Sequence, residues 1–188
     1  MRTGLHLIEN YIYFYHLDKW CILPTYPEEI NDTMGVNFGS TTILGRTAPI
    51  YTYSNSGPRS VSFSFRLHRE MMNDIDITGN NLDISPDTDV VDELVNHIQA
   101  AALPKYTADL KAINPPIIAI RLGNNLYVKG VVIGNVSVKY SGPILNDNKY
   151  AIIDISFTVD EINPYDADAI KTIGSSRGVE KHAYKRLY

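Results

Sequence analysis

The chain has 188 residues, 44% apolar and 20% charged, with a net charge of −4 and one cysteine. That length suggests one domain with room for a small appendage, and it buries enough surface to fold without a disulfide or a metal. The acidic balance argues against nucleic-acid binding by bulk electrostatics, no apolar run of about 18 residues argues for a membrane span, and Cys21 alone cannot form an internal disulfide, which points to a reducing compartment.

Residues 5–16 alternate loosely, with Leu5, Leu7, Tyr11, Tyr13 and Tyr15 in one register, and predict one or two early strands. Glu9, Asn10 and the tyrosines interrupt any apolar leader, so no signal peptide is expected. Residues 22–31 contain Pro24 and Pro27, which favour an extended passage and then one helical turn.

Residues 41–69 read as a ribbon. Ser54, Asn55, Ser56, Gly57 and Pro58 form its expected turn. After the turn Val61, Phe63, Phe65 and Leu67 share one face, and Ser62, Ser64, Arg66 and His68 the other, the period of a half-buried strand. Gly45 and Gly57 are expected to serve turns. Arg46 and Arg59 are expected in ion pairs between elements or between subunits.

Residues 86–103 carry Val90, Val91, Leu94, Val95, Ile98, Ala101 and Ala102 on one helical stripe. Ser85 is the expected N-cap, Pro86 the first helical residue, and Pro104 the stop. The last third is strand signal. Ile117–Leu122 reaches a turn at Gly123, Asn124 and Asn125. A long run follows in which Val132, Val136, Val138 and Tyr140 share a face with Gly134. A loop over residues 141–148 leads to a strand with Ile153, Ile155, Phe157 and Val159 inward and Asp154, Ser156 and Thr158 outward. The pattern stops after Pro164.

Strands, one helix, then strands predict a mainly β, α+β domain over residues 1–165. It would be a β-sandwich or rolled antiparallel sheet with one central helix packed on it. Residues 166–188 are expected to be a polar to basic tail. The order is not alternating βαβ, so a doubly wound nucleotide-binding sheet is not expected.

No catalytic constellation emerges. Cys21 lies between Trp20 and Ile22, an apolar setting that raises a thiol pKa. The five histidines share no ligand spacing. Asp74, Asp76, Thr78 and Gly79 match the first half of a calcium loop, but Asn81 replaces its apolar position and Ser85 its bidentate glutamate. The pairs Glu28-Glu29 and Asp160-Glu161 carry no fixed separation. No catalytic residue, cofactor or metal is expected.

Charge patterning says more. No Lys or Arg lies between Arg69 and Lys105, a span that holds Asp74, Asp76, Asp83, Asp87, Asp89, Asp92 and Glu93. The end of the chain is basic and aromatic, with Arg177, Lys181, Lys185 and Arg186 around Tyr184 and Tyr188. Two solvated surfaces are one explanation. A tail that docks on Asp87, Asp89 and Asp92 of a neighbouring subunit is a second, and contact of the tail with nucleic acid is a third.

The stretch ILPTYPEEINDTMGVNFGSTTILGRTAPIYTYSNSGPRSVSFSFRLHREM resembles the opening of small phage tail and baseplate proteins. The resemblance rests on Pro27-Glu28-Glu29-Ile30, Gly45-Arg46, Ser56-Gly57-Pro58-Arg59 and Leu67-His68-Arg69-Glu70. PPIIAIRLGNN, a strand containing Gly130, and DISFTVDEINP continue it to about residue 165. It is similar to the N-terminal domain of LysM-bearing baseplate proteins of contractile tails. That resemblance implies a tail-tube-like fold and a non-enzymatic virion subunit, made in the host cytoplasm, which forms a hexameric ring with other tail or baseplate proteins. LysM-bearing members continue into a peptidoglycan-binding module that has no counterpart here, so glycan binding is not carried over.

In such a ring the polar face of Ser62, Ser64, Arg66 and His68 would line a neighbour or a polar lumen. Arg46, Arg59 and Arg66 would be candidate inter-subunit residues. Strand edges would be completed by adjacent copies. No membrane contact is expected, and no nucleic-acid contact beyond a lumen. A stand-alone carbohydrate- or peptidoglycan-binding module using surface tyrosines is the alternative.

Overall fold

The structure, a computed structural model, describes residues 10–23, 25–74, 89–106, 112–113, 116–123 and 125–163. The chain begins with strands β1 (Asn10–Phe14), β2 (Lys19–Ile22), β3 (Glu29–Thr41) and β4 (Ile50–His68). Helices α1 (Arg69–Asp74) and α2 (Val90–Ala101) follow, with the short strands β5 (Lys105–Tyr106) and β6 (Ala112–Ile113) behind them. Strands β7 (Ile117–Leu122), β8 (Leu126–Ile144) and β9 (Tyr150–Glu161) complete the order.

The fold is mainly β with helices packed on the sheet. Hydrogen bonding joins seven strands into one antiparallel sheet in the order β2-β1-β7-β8-β9-β4-β3, and β5 and β6 form a separate pair. One face of that sheet is the core. Alternation puts Ile12 and Phe14 of β1, Val61, Phe63, Phe65 and Leu67 of β4, and Ile153, Ile155, Phe157 and Val159 of β9 on it, all buried. Phe63 lies directly opposite Phe157. The rings of Phe63, Phe65 and Phe157 pack at centroid separations of 5.7–6.0 Å. Each such side chain contributes roughly 1.5–3 kcal/mol by leaving water.

The apolar stripe of α2 closes this face, with Val90, Val91, Leu94, Val95, Ile98 and Ala101 buried against it. The helix starts later than the sequence predicts. Its N-cap is Asp89, extended at φ −107°, whose carboxylate accepts the Asp92 N–H at 2.9 Å. That bond satisfies an N–H that the helix cannot; Ser85 and Pro86, the expected start, lie outside the described residues. Helix α1 was not expected. Its six residues are too few to show a period.

Three further expectations are corrected. No helical turn precedes β3 among the described residues: Glu28 N–H already donates to Ser64 O, which starts the pairing with β4. Residues 54–58 are not a turn, because β4 runs straight through them. Between the pairs Met34↔Arg59 and Val36↔Ser56, β4 advances three residues while β3 advances two. Gly57 and Pro58 therefore sit in a bulge, one of the few places where a strand tolerates proline. The real turn spans residues 42–49, where Gly45 has a φ of +84°. Finally, β8 continues to Ile144, so the loop expected over 141–148 shrinks to a tight reversal in which Leu145 N–H donates to Lys149 O.

Strand β8 changes partners along its length. Its first part pairs with β7 up to Val131, and its second part pairs with β9 alone. Just past this change a bulge between Ile133 and Ser137, with Gly134 at φ +66°, interrupts the pairing with β9. Beneath it Gly130 crosses Glu161 so closely that a Cβ there would overlap the Asp160 carbonyl oxygen.

Candidate assembly surface

The four strands β8, β9, β4 and β3 form a block whose second face carries no helix among the described residues. Register aligns its outward side chains in rows. One row holds Ser137, Ser156, Ser64 and Glu29; the next holds Ile133, Thr158, Ser62 and Asn31. Ser62 Oγ and Thr158 Oγ1 are 2.9 Å apart. Small hydroxyl side chains make the middle of this face a polar floor, with Glu29 at its β3 edge.

A charged row crosses the same face. Lys139 of β8 stands opposite Asp154 of β9, and Asp154 opposite Arg66 of β4. Arg66 Nε donates to Asp154 Oδ1 at 2.8 Å, and Arg66 Nη1 lies 3.1 Å from Glu28 Oε1. The hydrogen bond that Arg66 donates to Asp154, and then the charges of Asp154 and Glu28, hold the Arg66 pKa above its usual value. The signs alternate, plus, minus, plus, minus, across the block.

Both borders of the block are open among the described residues. No strand lies beyond β3, and none lies beside β8 after Val131. All but one of the residues of β3 are exposed. A 13-residue open edge is the kind of border that soluble monomers keep short or covered.

The far halves of β3 and β4 leave the block as a two-stranded arm, since β4 meets β9 only from Ser60 onward. Its faces differ. Val36, Phe38, Tyr53 and Tyr51 share the side that continues the core face, with Phe38 58%, Tyr53 57% and Tyr51 67% exposed. Phe38 and Tyr53 meet edge to face at 5.8 Å. The other side is polar, with Asn37 Nδ2 donating to Asn55 Oδ1 at 2.9 Å. An isolated two-stranded hairpin is marginal in water, and this one bears an uncovered apolar stripe.

Where the arm leaves the block, Arg59 is buried between Asp32 and Glu161, at 3.0 Å and 3.2 Å. This is a pair between elements within one chain. Arg66 is likewise held within the chain, by Asp154 and Glu28. Asp89 and Asp92 bind Arg69, and Lys149 Nζ lies 2.9 Å from Asp92 Oδ2. The acids of the α2 start are thus engaged by the first residue of α1 and by a lysine of the β8–β9 reversal. Arg46 lies in the arm's turn and makes no ion pair among the described residues. Asp87, Arg177, Lys181, Lys185 and Arg186 lie outside the described residues, as does most of the calcium-loop-like stretch.

The other candidate chemistry finds no geometry. Glu161 turns to the core-side Arg59, whereas Asp160 belongs to the opposite, outward row, as alternation requires of neighbours in a strand. Glu28 is taken up by Arg66. Cys21 is buried, and desolvation pushes its thiol up to about 12. No group of three or more metal-ligating side chains occurs among the described residues.

Sequence reasoning missed the arm's first strand. The signal was present: Ile30, Met34, Val36 and Phe38 alternate with polar residues through β3, broken only by Asp32.

No protein-family model matches the chain, and no curated protein does. Fifteen chains of solved structures match it. One belongs to the virion of a native gene transfer agent particle, with a TM-score of 0.41 and 11% identity over 85% of this chain and 96% of that one.

Proposed function

We propose that this protein is a non-enzymatic structural subunit of a phage or phage-like contractile tail, which builds a tail-tube or baseplate-hub ring from copies of itself. The observation that carries the reading is the four-strand block with two open borders. Its strands alternate in direction, so β8 and β3 at the two borders run opposite ways. Four is an even number. A second copy related by rotation about an axis along the strands therefore brings its β8 antiparallel to the first copy's β3. Addition of that kind is head-to-tail and closes when the rotation closes.

The hydroxyl floor then faces one side of the ring, which suits a hydrated lumen, and α2 faces the other. The uncovered arm stripe is covered by a neighbouring protein of the tail. A ring of six follows the sequence resemblance. The segment 166–188 would be an arm between subunits beyond the domain of residues 1–165. Its Arg177, Lys181, Lys185 and Arg186 would reach Asp87 and its neighbours. A stand-alone glycan-binding module is the second reading, favoured by the exposed rings of Phe38, Tyr51 and Tyr53.

Native mass spectrometry and negative-stain microscopy of the full chain test this over a range of concentrations. Closed rings of a single order support the proposal. A chain that stays monomeric at every concentration, and binds peptidoglycan fragments, overturns it in favour of the second reading.

A further inference from the structure

The charged row on the block's outward face ends on opposite signs at the two open borders. At the β8 border Lys139 is exposed and makes no ion pair among the described residues, and it is the sole charge from Val132 to Ile144. At the β3 border Glu28 lies on the outer side of Arg66, and β3 itself carries Glu29 and Asp32 but no cation.

We infer that Glu28 of one copy pairs with Lys139 of the next, so that the row Lys139–Asp154–Arg66–Glu28 repeats without a break in sign around the assembly and sets its direction and register. The inference rests on the edge-to-edge reading above. Neighbouring strands lie about 4.8 Å apart, so one added strand brings Lys139 beside Glu28. The alternatives are worse. Two β3 borders facing each other would oppose acids to acids, which is destabilising across strands. Two β8 borders would bring lysine toward lysine. Only the mixed contact is complementary, and such complementarity suppresses wrong partners.

The test uses the full chain with Glu28→Cys, Lys139→Cys, or both, treated with a short bis-maleimide. Cys21 is buried and does not compete. The double variant is expected to give a ladder of covalent multimers, and each single variant to remain monomeric on a denaturing gel. Lys139→Gln is expected to weaken self-association about two- to fivefold, the scale of an exposed ion pair, and to flatten its dependence on salt. A wild-type chain that is oligomeric by mass, with a double variant that does not ladder, overturns this pairing and leaves the ring standing. Dimers from either single variant also overturn it, because they require like borders to meet. A monomeric wild-type chain overturns both.

Discussion

Arg59 grips Asp32 through two parallel hydrogen bonds, Nε to Oδ1 and Nη2 to Oδ2, each 3.0 Å long. Its third arm reaches Glu161 Oε2 at 3.2 Å. The guanidinium is only 4% exposed. Burial works against its charge, but the hydrogen bonds and charges of the two carboxylates outweigh that, and its pKa lies above the usual value. The three residues come from β3, β4 and β9, so this trio locks the root of the arm to the block.

Arg59→Met should therefore cost about 3 kcal/mol, because it takes from two carboxylates the cation they share while leaving them in place. Urea unfolding monitored by circular dichroism measures it. Replacing Asp32, Arg59 and Glu161 together with apolar residues of similar volume should recover most of the loss.

Asp92 gives a pH dependence. Burial alone would raise its pKa, but hydrogen bonds from Arg69 and Lys149 and their charges hold it below the usual carboxylate value. A depressed native pKa stabilises the fold above the unfolded value of about 3.9, and that stabilisation is lost as pH falls through the native value. Asp92→Asn should cost about 1–2 kcal/mol at pH 7. The gap between variant and wild type in thermal melts should shrink steadily below about pH 4.

Gly130→Ala tests the crossing of β8 and β9. The added Cβ would overlap the Asp160 carbonyl oxygen, and backbone cannot swing aside as a flexible side chain can. A loss of about 3 kcal/mol is expected, at the upper end of overpacking costs. Gly35→Ala is the control, since nothing lies within 4 Å of its Cβ position.

The arm stripe separates stability from assembly. Phe38→Ser should change unfolding stability by no more than about 0.5 kcal/mol, since the ring is exposed. It should still weaken association with whatever covers the stripe by more than about 1 kcal/mol. Denaturant curves give the first number, and sedimentation of the chain mixed with neighbouring tail proteins gives the second.

Cys21 should resist thiol reagents at pH 8 in the native protein and react at once in urea, because desolvation holds it protonated. A native-state reaction as fast as that of free cysteine would contradict the packing of β2.

Local pattern alone determined a good deal of this protein. The inward faces of β4 and β9, the bounds of β7 and the buried stripe of α2 follow from residue spacing, because alternation and helical period are set by the backbone itself. The fate of residues 54–58 was not legible: Ser, Asn, Gly and Pro serve a turn or a bulge equally well, and the pairing with β3 chose the bulge. Ser85 and Asp89 are both good caps, and Arg69 and Lys149, distant in sequence, gather around Asp89 and Asp92 at the start of the helix. Above all, which strand edges stay open depends on where every other strand goes. The order β8-β9-β4-β3 was decided by contacts far apart in the chain, and it alone turned separate residues such as Lys139, Asp154, Arg66 and Glu28 into one row.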